Sequence, residues 1–333
     1  MGRCAPLIPD FVIRFLLRRL AASLLLLYLV LTATFFLLHL APGSPAALLA
    51  EDQRVTVEQR ENLRRIYGLD RPLPVQYARW LGAMARGDWG ISFTYQRPVT
   101  ALVFDAVPAS LLLAAAALVV EYGLGLAFGI AAARRPGSAT DHAIRFVSLL
   151  IYSQPGFWLA VMGILLFSLI WPVLPAGHMY SVGAEEMGRG ARLLDLLRHL
   201  ILPAGVLGLS QAGSVVRYVR ANLLEVLGQE HIRAARAKGI SERRVVWVHA
   251  LRNALPPLIQ VLALSFVALL SGGVILEIIF SWPGLGRLLY EAIQTRDYPL
   301  VLAATAFSAV MVLLANLAAD LLHALADPRI RDA

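Results

Sequence analysis

The chain has one cysteine, Cys4, and one lysine, Lys238, in 333 residues. A single thiol excludes an intramolecular disulfide and any cysteine-built metal cluster, and leaves the redox compartment unspecified. The lone lysine excludes a phosphate-binding loop, because Ile232 to Ala237 before it contain no glycine to open a Gly-x-x-x-x-Gly-Lys-Ser/Thr turn. His-Glu-x-x-His is absent, and the nearest approach to a Gly-x-Ser-x-Gly elbow, Gly208, Ser210 and Gly213, has the wrong spacing. Charge is scarce as well. Only 16% of the residues are Asp, Glu, Lys or Arg, where a soluble domain carries roughly a quarter. Nothing in the chain argues for an enzyme, and any nucleotide that drives it must be bound elsewhere.

What is abundant is apolar. Hydrophobic residues make up 58% of the chain and mean hydropathy is +0.67, which places its bulk in lipid. The net charge of +8 then reads as the Arg and Lys excess of cytoplasmic loops rather than as a nucleic-acid surface. Arg14, Arg18 and Arg19 precede an apolar run from Leu20 to Leu40. That run is longer than the ~7–15 residues of a signal-peptide core and lacks a clear Ala-x-Ala site, so it is expected to be retained as a span.

A helix needs ~20 apolar residues to cross the hydrocarbon core. Six segments are predicted to do so: Phe15 to Leu40, Pro108 to Ala133, Ile144 to Ile170, Ile201 to Val216, Pro257 to Phe280 and Pro299 to Ala326. The fourth is short and studded with Gly205, Gly208, Ser210, Gln211, Gly213 and Ser214, a composition suited to close packing inside a bundle or to a water-filled path. With the N-terminus inside, the inner regions hold 17 basic residues against five in the two short outer loops. The other eight fall in the long segment from Ala41 to Val107, where the charge rule loses force. Both termini are therefore expected to be cytoplasmic.

That long segment reads as a small outer lobe, with seven acids against eight arginines. "TVEQRENLRRIYGLD" predicts a helix capped by Thr56 and stopped at Gly68, and "VQYARWLGAMARGDWG" a second one ended by Gly87. On the inner side, "QEHIRAARAKG" predicts a short helix ended by Gly239 in left-handed geometry, with Ser241 placed to cap the next. At ~100° per residue, Glu242, His249, Arg252 and Asn253 share one face of that next helix, with Val246, Trp247, Ala250, Leu251 and Ala254 opposite.

Ala234-Ala235 followed by Gly239, in a long cytoplasmic loop before the penultimate span, resembles the coupling loop of ABC importer permeases, known by a Glu-Ala-Ala...Gly signature. Arg233 replaces the Glu and Arg252 the late Pro, departures that look like the dipeptide/oligopeptide/nickel branch. "LHLAPGSPA" with Ser44 for the usual Asp, "YGLDRPLPVQYARWL", "RGDWGISF" with Trp89 for a commoner aliphatic residue, "SQPGFW", "FSWPGLGRLL" and "ADPRIR" extend the resemblance, in order, along nearly the whole chain.

The resemblance implies an all-α polytopic membrane protein with the type I ABC importer permease fold of six transmembrane helices. Residues 1–107 would form a cytoplasmic segment, the first helix and the outer lobe, and residues 108–333 a five-helix core with its cytoplasmic loop at 217–255. It implies a heterodimer with a second homologous permease, two cytoplasmic ATPase subunits that bind ATP and Mg, and an extracytoplasmic solute-binding protein. No cofactor is expected in this chain. Coupling to the ATPases is implied through the 229–255 loop, with Ala234, Ala235 and Gly239 as principal contacts and Arg233, Arg236 and Lys238 beside them. Di- and oligopeptides are the expected cargo, with nickel chelates and other small solutes as alternatives, in the inner membrane of a prokaryote.

Ionisable residues inside spans invite a functional reading. Glu121 sits mid-span, His39 and Glu277 near outer ends, and Asp320 with Asn316 near the inner end of the last span. Glu121, with Ser210, Gln211 and Ser214, is expected to line the translocation path, an interhelical hydrogen bond or a protonated carboxyl facing a cavity being the plainer alternatives. Trp282, Pro283 and Gly284 form either a simple interfacial turn or an outer loop that docks the binding protein. An ion-coupled secondary transporter, with Glu121 or Asp320 carrying protons, and a scaffold without transport are the rival readings, although neither inverted repeats nor mid-membrane broken helices are clear in the sequence.

Overall fold

The computed structural model describes residues 10–40 and 70–326, with side chains over 18–40 and 70–318 apart from 255–257, 259–260, 263 and 270–271. The helix expected over Thr56 to Gly68, the segment from Ala41 to Ala46, the side chain of Asp320 and the run from Asp327 to Arg331 lie outside that description. Among the described residues the regular structure is helical, with one isolated bridge between Ile91 and Pro98. Among the described residues four helices are long and apolar enough to cross a membrane, and a bent pair makes a fifth crossing if it is one span.

The chain divides into two compact units, residues 1–108 with 285–313 and residues 109–284 with 314–333. In the first, α1 (Asp10–Leu40) presents Leu31 and Phe35 one turn apart, both buried. Phe35 stacks on Trp80 and meets Tyr77 edge-on, each at 5.3 Å, and Thr32 hydrogen-bonds the Tyr77 hydroxyl at 2.8 Å. Both aromatic residues lie on α2 (Leu73–Ala85), which starts behind Pro72 and ends before Gly87 at φ +83°, as its sequence predicts.

A buried carboxylate organises the rest of this unit. Asp297 accepts hydrogen bonds from the Ser92 hydroxyl at 2.5 Å and the Thr94 N–H at 2.9 Å, and caps α10 (Tyr298–Ala326) through the Leu300 N–H. Val99, Val103, Leu300, Ala304 and the short α9 (Leu285–Gln294) close the core around it, and Trp89 packs on Phe307.

The second unit is built around α6 (Arg189–Leu227), which packs against α4 (Ala139–Tyr152), α5 (Gly156–Ile170) and α8 (Leu251–Ile279). The apolar count predicts only Ile201 to Val216 here. The helix runs 39 residues, about 58 Å at 1.5 Å per residue, so it extends well past the ~30 Å hydrocarbon core. Its small residues mark close crossings. A Cβ on Gly208 would stand 2.4 Å from the Ala117 carbonyl of α3 (Val99–Arg134), and one on Gly213 2.6 Å from the Ser148 carbonyl of α4. From the other side, Gly125 and Gly129 of α3 receive Val215 and Val219 with no room for a side chain. The expectation of a tightly packed interior helix is met by backbone approach at these positions.

The third span expected from Ile144 to Ile170 is broken. α4 and α5 meet at 95° across Ser153, Gln154 and Pro155. Proline offers no N–H and bars the helical region to the residue before it, so the chain turns at "SQPGFW". α5 closes in a π turn from Leu165 to Ile170.

Replacing Gly208 by Val should cost about 1–3 kcal/mol, the usual penalty of overpacking, because the obstacle is backbone and cannot swing away. Thermal unfolding in detergent should show a lowered midpoint for Gly208→Val and a near-native one for Gly205→Ala, whose Cβ would meet nothing within 4 Å.

Candidate functional site

The loop after α6 is a closed helix, turn and helix. α7 (Glu230–Ala237) ends in a Schellman motif: the Gly239 N–H bonds the Arg236 carbonyl at 2.9 Å and the Ile240 N–H the Ala235 carbonyl at 3.3 Å, with Gly239 at φ +76°. This motif brings the residue after the glycine back onto the helix, so Ala235 and Ile240 join a buried cluster with Ile232, Val245, Val246 and Ala250. Ala235 is accordingly 7% exposed and faces inward. Arg233, Ala234, Arg236, Lys238 and Gly239 are exposed.

Two local expectations need correction. Ser241 stands at the helix start in extended geometry, but its hydroxyl makes no capping bond. Trp247 is 49% exposed rather than packed, because Val245 to Ala250 forms a π turn whose wider winding departs from a 100° wheel. Arg236 grips Glu242 through two hydrogen bonds of 2.7 and 3.1 Å. The guanidinium holds the Glu242 carboxyl below its ordinary range, so the bridge is intact at neutral pH and loosens only as pH falls through that depressed value.

Four residues singled out as path candidates come together in the second unit. Ser210 and Gln211 line a cavity of about 410 Å³ with Tyr152, Gln154 and Leu276. Gln211 also lines a second cavity of about 240 Å³ with Glu121, Ser214, Val261 and Ser265. Glu121 is 1% exposed and accepts a hydrogen bond from the Ser265 hydroxyl at 2.8 Å. An interhelical bond, one of the two plainer roles foreseen for Glu121, therefore exists, and it lies at a cavity wall. Among the described residues no cluster of three His, Cys, Asp or Glu could hold a metal ion.

The turn after α8 is anchored from within. Trp282 is fully buried, its indole N–H donating to the Ala109 carbonyl at 2.8 Å. Gly284 is buried against the Glu277 carboxyl, which accepts a bond of 2.6 Å from Ser110 and occupies the space a Cβ would need. Trp282 and Gly284 thus anchor the turn from within, and Pro283 is its exposed member.

Sequence reasoning passed over an ion pair. Asp141, with no exposed side-chain surface, takes two hydrogen bonds from Arg220 at 2.7 and 2.8 Å and one from the Gly137 N–H. Ser138 caps α4 by accepting from the Asp141 N–H, so the Ser-x-x-Asp spacing was the available signal for its position. Its partner, 79 residues away, had none.

With this geometry in view, comparison with known proteins is specific. Residues 125–332 match the family model described as binding-protein-dependent transport system inner membrane component, and residues 12–114 match its N-terminal counterpart. The chain belongs to this family of inner-membrane transport permeases. It is 38% identical over 317 residues to the oligopeptide transport system permease protein AppB of Bacillus subtilis, covering 95% of this chain and 98% of that one. It is 36% identical to the dipeptide transport system permease protein DppB of Escherichia coli strain K12, with coverage of 96% and 99%, and 39% identical to the di/tripeptide transport system permease protein DppB of Pseudomonas aeruginosa, with coverage of 95% and 98%. Among solved structures, the inward-facing MetNI methionine ABC transporter shares the fold with a TM-score of 0.56 at 19% identity, covering 69% of this chain and 98% of that chain.

Removing one partner of a buried ion pair typically costs ~3–5 kcal/mol by stranding the other charge. Arg220→Ala strands the Asp141 carboxylate, which has no exposed surface, and should cost about 3 kcal/mol. Asp141→Asn should cost less, because the Arg220 left behind keeps 22% of its side chain exposed. Unfolding midpoints of the two variants in detergent check the order.

Proposed function

We propose that this chain is one of two related permeases in an ATP-driven, binding-protein-dependent importer of di- or oligopeptides. The names of its relatives support the cargo class, and the family's fold supports the mechanism. The chain crosses the membrane six times, with α4 and α5 together as the third crossing and α8 as the fifth. Both termini face the cytoplasm, in keeping with the 17 basic residues of the inner regions. Two ATPase subunits bind ATP and Mg on the cytoplasmic side. A solute-binding protein delivers cargo on the other, where Pro283 is the exposed residue of the outer turn.

The observation that carries this reading is the construction of the inner loop. Its tip exposes Ala234, a residue with almost no side chain, among Arg233, Arg236 and Lys238, while Ile232 and Ala235 fasten the same helix to the cluster behind it. A groove on an ATPase subunit can approach such a tip closely, and displacement of the tip passes to α8 through the shared cluster rather than being lost in a flexible loop. ATP-driven closure of the ATPases would then draw two such loops together and switch the path from inward-facing to outward-facing.

Gly239 separates docking from folding. A Cβ there meets nothing within 4 Å, so the internal penalty of a side chain is backbone strain of about 1–2 kcal/mol, and Asn tolerates the left-handed region best among the alternatives. Gly239→Trp should reduce co-purification of the ATPase subunits and ATP-dependent peptide uptake in proteoliposomes about tenfold or more, since tenfold corresponds to only ~1.4 kcal/mol of lost contact. Gly239→Asn should retain most of both. Unimpaired uptake by a normally inserted Gly239→Trp protein would count against coupling through this loop.

A further inference from the structure

The smaller cavity in the second unit contains a feature that the transport reading leaves unused. Glu121 is almost wholly buried, and its two oxygens are treated differently. Oε1 accepts from the Ser265 hydroxyl at 2.8 Å, whereas Oε2 has no hydrogen-bond partner among the described residues. A buried carboxylate oxygen in that position is unsatisfied in either protonation state. Ionised, it needs a donor or a cation; protonated, its O–H needs an acceptor, and the described side chains supply neither within hydrogen-bond distance. Glu121 is the one acidic residue lining the smaller cavity, so that cavity is where a cation drawn to it would enter.

The other lining groups narrow what that partner is. Gln211, Ser214 and Ser265 are neutral oxygen-bearing side chains, and Val261, Leu264 and Ala268 are apolar. One carboxylate with a few neutral oxygens falls short of the six to eight oxygens that a bound calcium ion takes. It suits a monovalent cation that is itself a hydrogen-bond donor. The Ser214 hydroxyl already donates to the Gln211 carbonyl, which leaves its lone pairs to accept. The volume of about 240 Å³ leaves room for an ammonium group and the chain that carries it.

Resting on the importer reading above, we infer that Glu121, Ser214 and Gln211 form a transit site for the primary ammonium group of the transported solute. The carboxylate attracts the charged amine, and the neutral oxygens replace part of its hydration shell. The apolar wall formed by Val261, Leu264 and Ala268 contacts the adjoining carbon chain. A single carboxylate holds such a group loosely enough to let it go, which a site within a transport path requires.

The scarcity of cysteine allows a direct test. Cys4 is this chain's only thiol, so Cys4→Ser, assembled with partner subunits whose own cysteines are replaced, gives a silent background into which Ser214→Cys places a reporter at the cavity. The assembled transporter is reconstituted, and the reporter is labelled with aminoethyl methanethiosulfonate, a primary ammonium, and with neutral methyl methanethiosulfonate. The cationic reagent should react faster, relative to each reagent's rate with a free thiol, by about tenfold, the preference expected of a nearby charge in a medium of intermediate polarity. Glu121→Gln should bring the ratio to near one, and Glu121→Asp should keep most of it. Ethylammonium chloride should slow cationic labelling more than sodium chloride at equal ionic strength; equal slowing would assign the site to small cations in general and overturn the ammonium assignment.

A ratio near one with Glu121 present, or a reporter that reacts with neither reagent, would overturn the site. ATP-dependent peptide uptake measured on the same Cys4→Ser preparation keeps the two readings apart. Uptake without a cation preference removes only the transit site, and a cation preference without uptake removes the importer reading while leaving a cation-binding cavity.

Discussion

Close backbone approach along α6 is the constraint on which the second unit depends. In lipid the tails solvate leucine as well as another helix does, so helices associate through packing and hydrogen bonds rather than through the expulsion of water. Gly208 and Gly213 let carbonyls of α3 and α4 reach a distance that any side chain would forbid, and Gly125 and Gly129 do the same for two valines of α6. That approach places Gln211 and Ser214 within the same short stretch at cavity walls. The polar residues of the path candidate and the glycines of the crossing belong to one segment because both need a position where the helix turns away from lipid.

Polar groups inside these units are satisfied chiefly by partners distant in sequence. Glu277 takes Ser110, Trp282 takes the Ala109 carbonyl, Asp141 takes Arg220, and Asp297 takes Ser92 and Thr94. Each bond joins elements that no local pattern pairs. This is why such residues look alike in the sequence, as costly side chains near span ends, yet differ in what they do. Trp282 is an instance: amphipathic side chains collect at membrane interfaces, and only the carbonyl 173 residues away turns this one into a core residue.

Legibility therefore followed the range of the interaction. α2 with its Gly87 stop, the α7 helix with left-handed Gly239, and the packed character of the fourth span were readable because capping, glycine geometry and side-chain size act over a few residues. The break at Pro155 was written just as locally, in the proline that bars helix to Gln154, and was obscured by the continuous hydropathy from Ile144 to Ile170. Trp247 failed for a different reason. A helical wheel assumes one winding throughout, and the π turn from Val245 to Ala250 changes the face on which later residues fall. The Asp141–Arg220 pair needed the fold itself.

The loop after α6 shows why its small residues have unequal roles. Ala234 and Ala235 are adjacent and chemically identical, so composition alone treats them as one smooth surface. A helix places neighbours about 100° apart, and the Schellman closure at Gly239 commits one of the two directions to Ile240 and the cluster behind it. Ala235 is small because the returning chain must pack against it; Ala234 is small on the side left exposed. The same glycine that ends α7 thereby decides which alanine is held inside. A larger residue at Ala235 would push the helix off its support, whereas one at Ala234 would alter only the surface offered to a partner. Under the coupling mechanism proposed above, the first kind of change would uncouple the loop from α8 even with a partner bound, and the second would weaken the partner's grip while leaving the loop's own transmission intact.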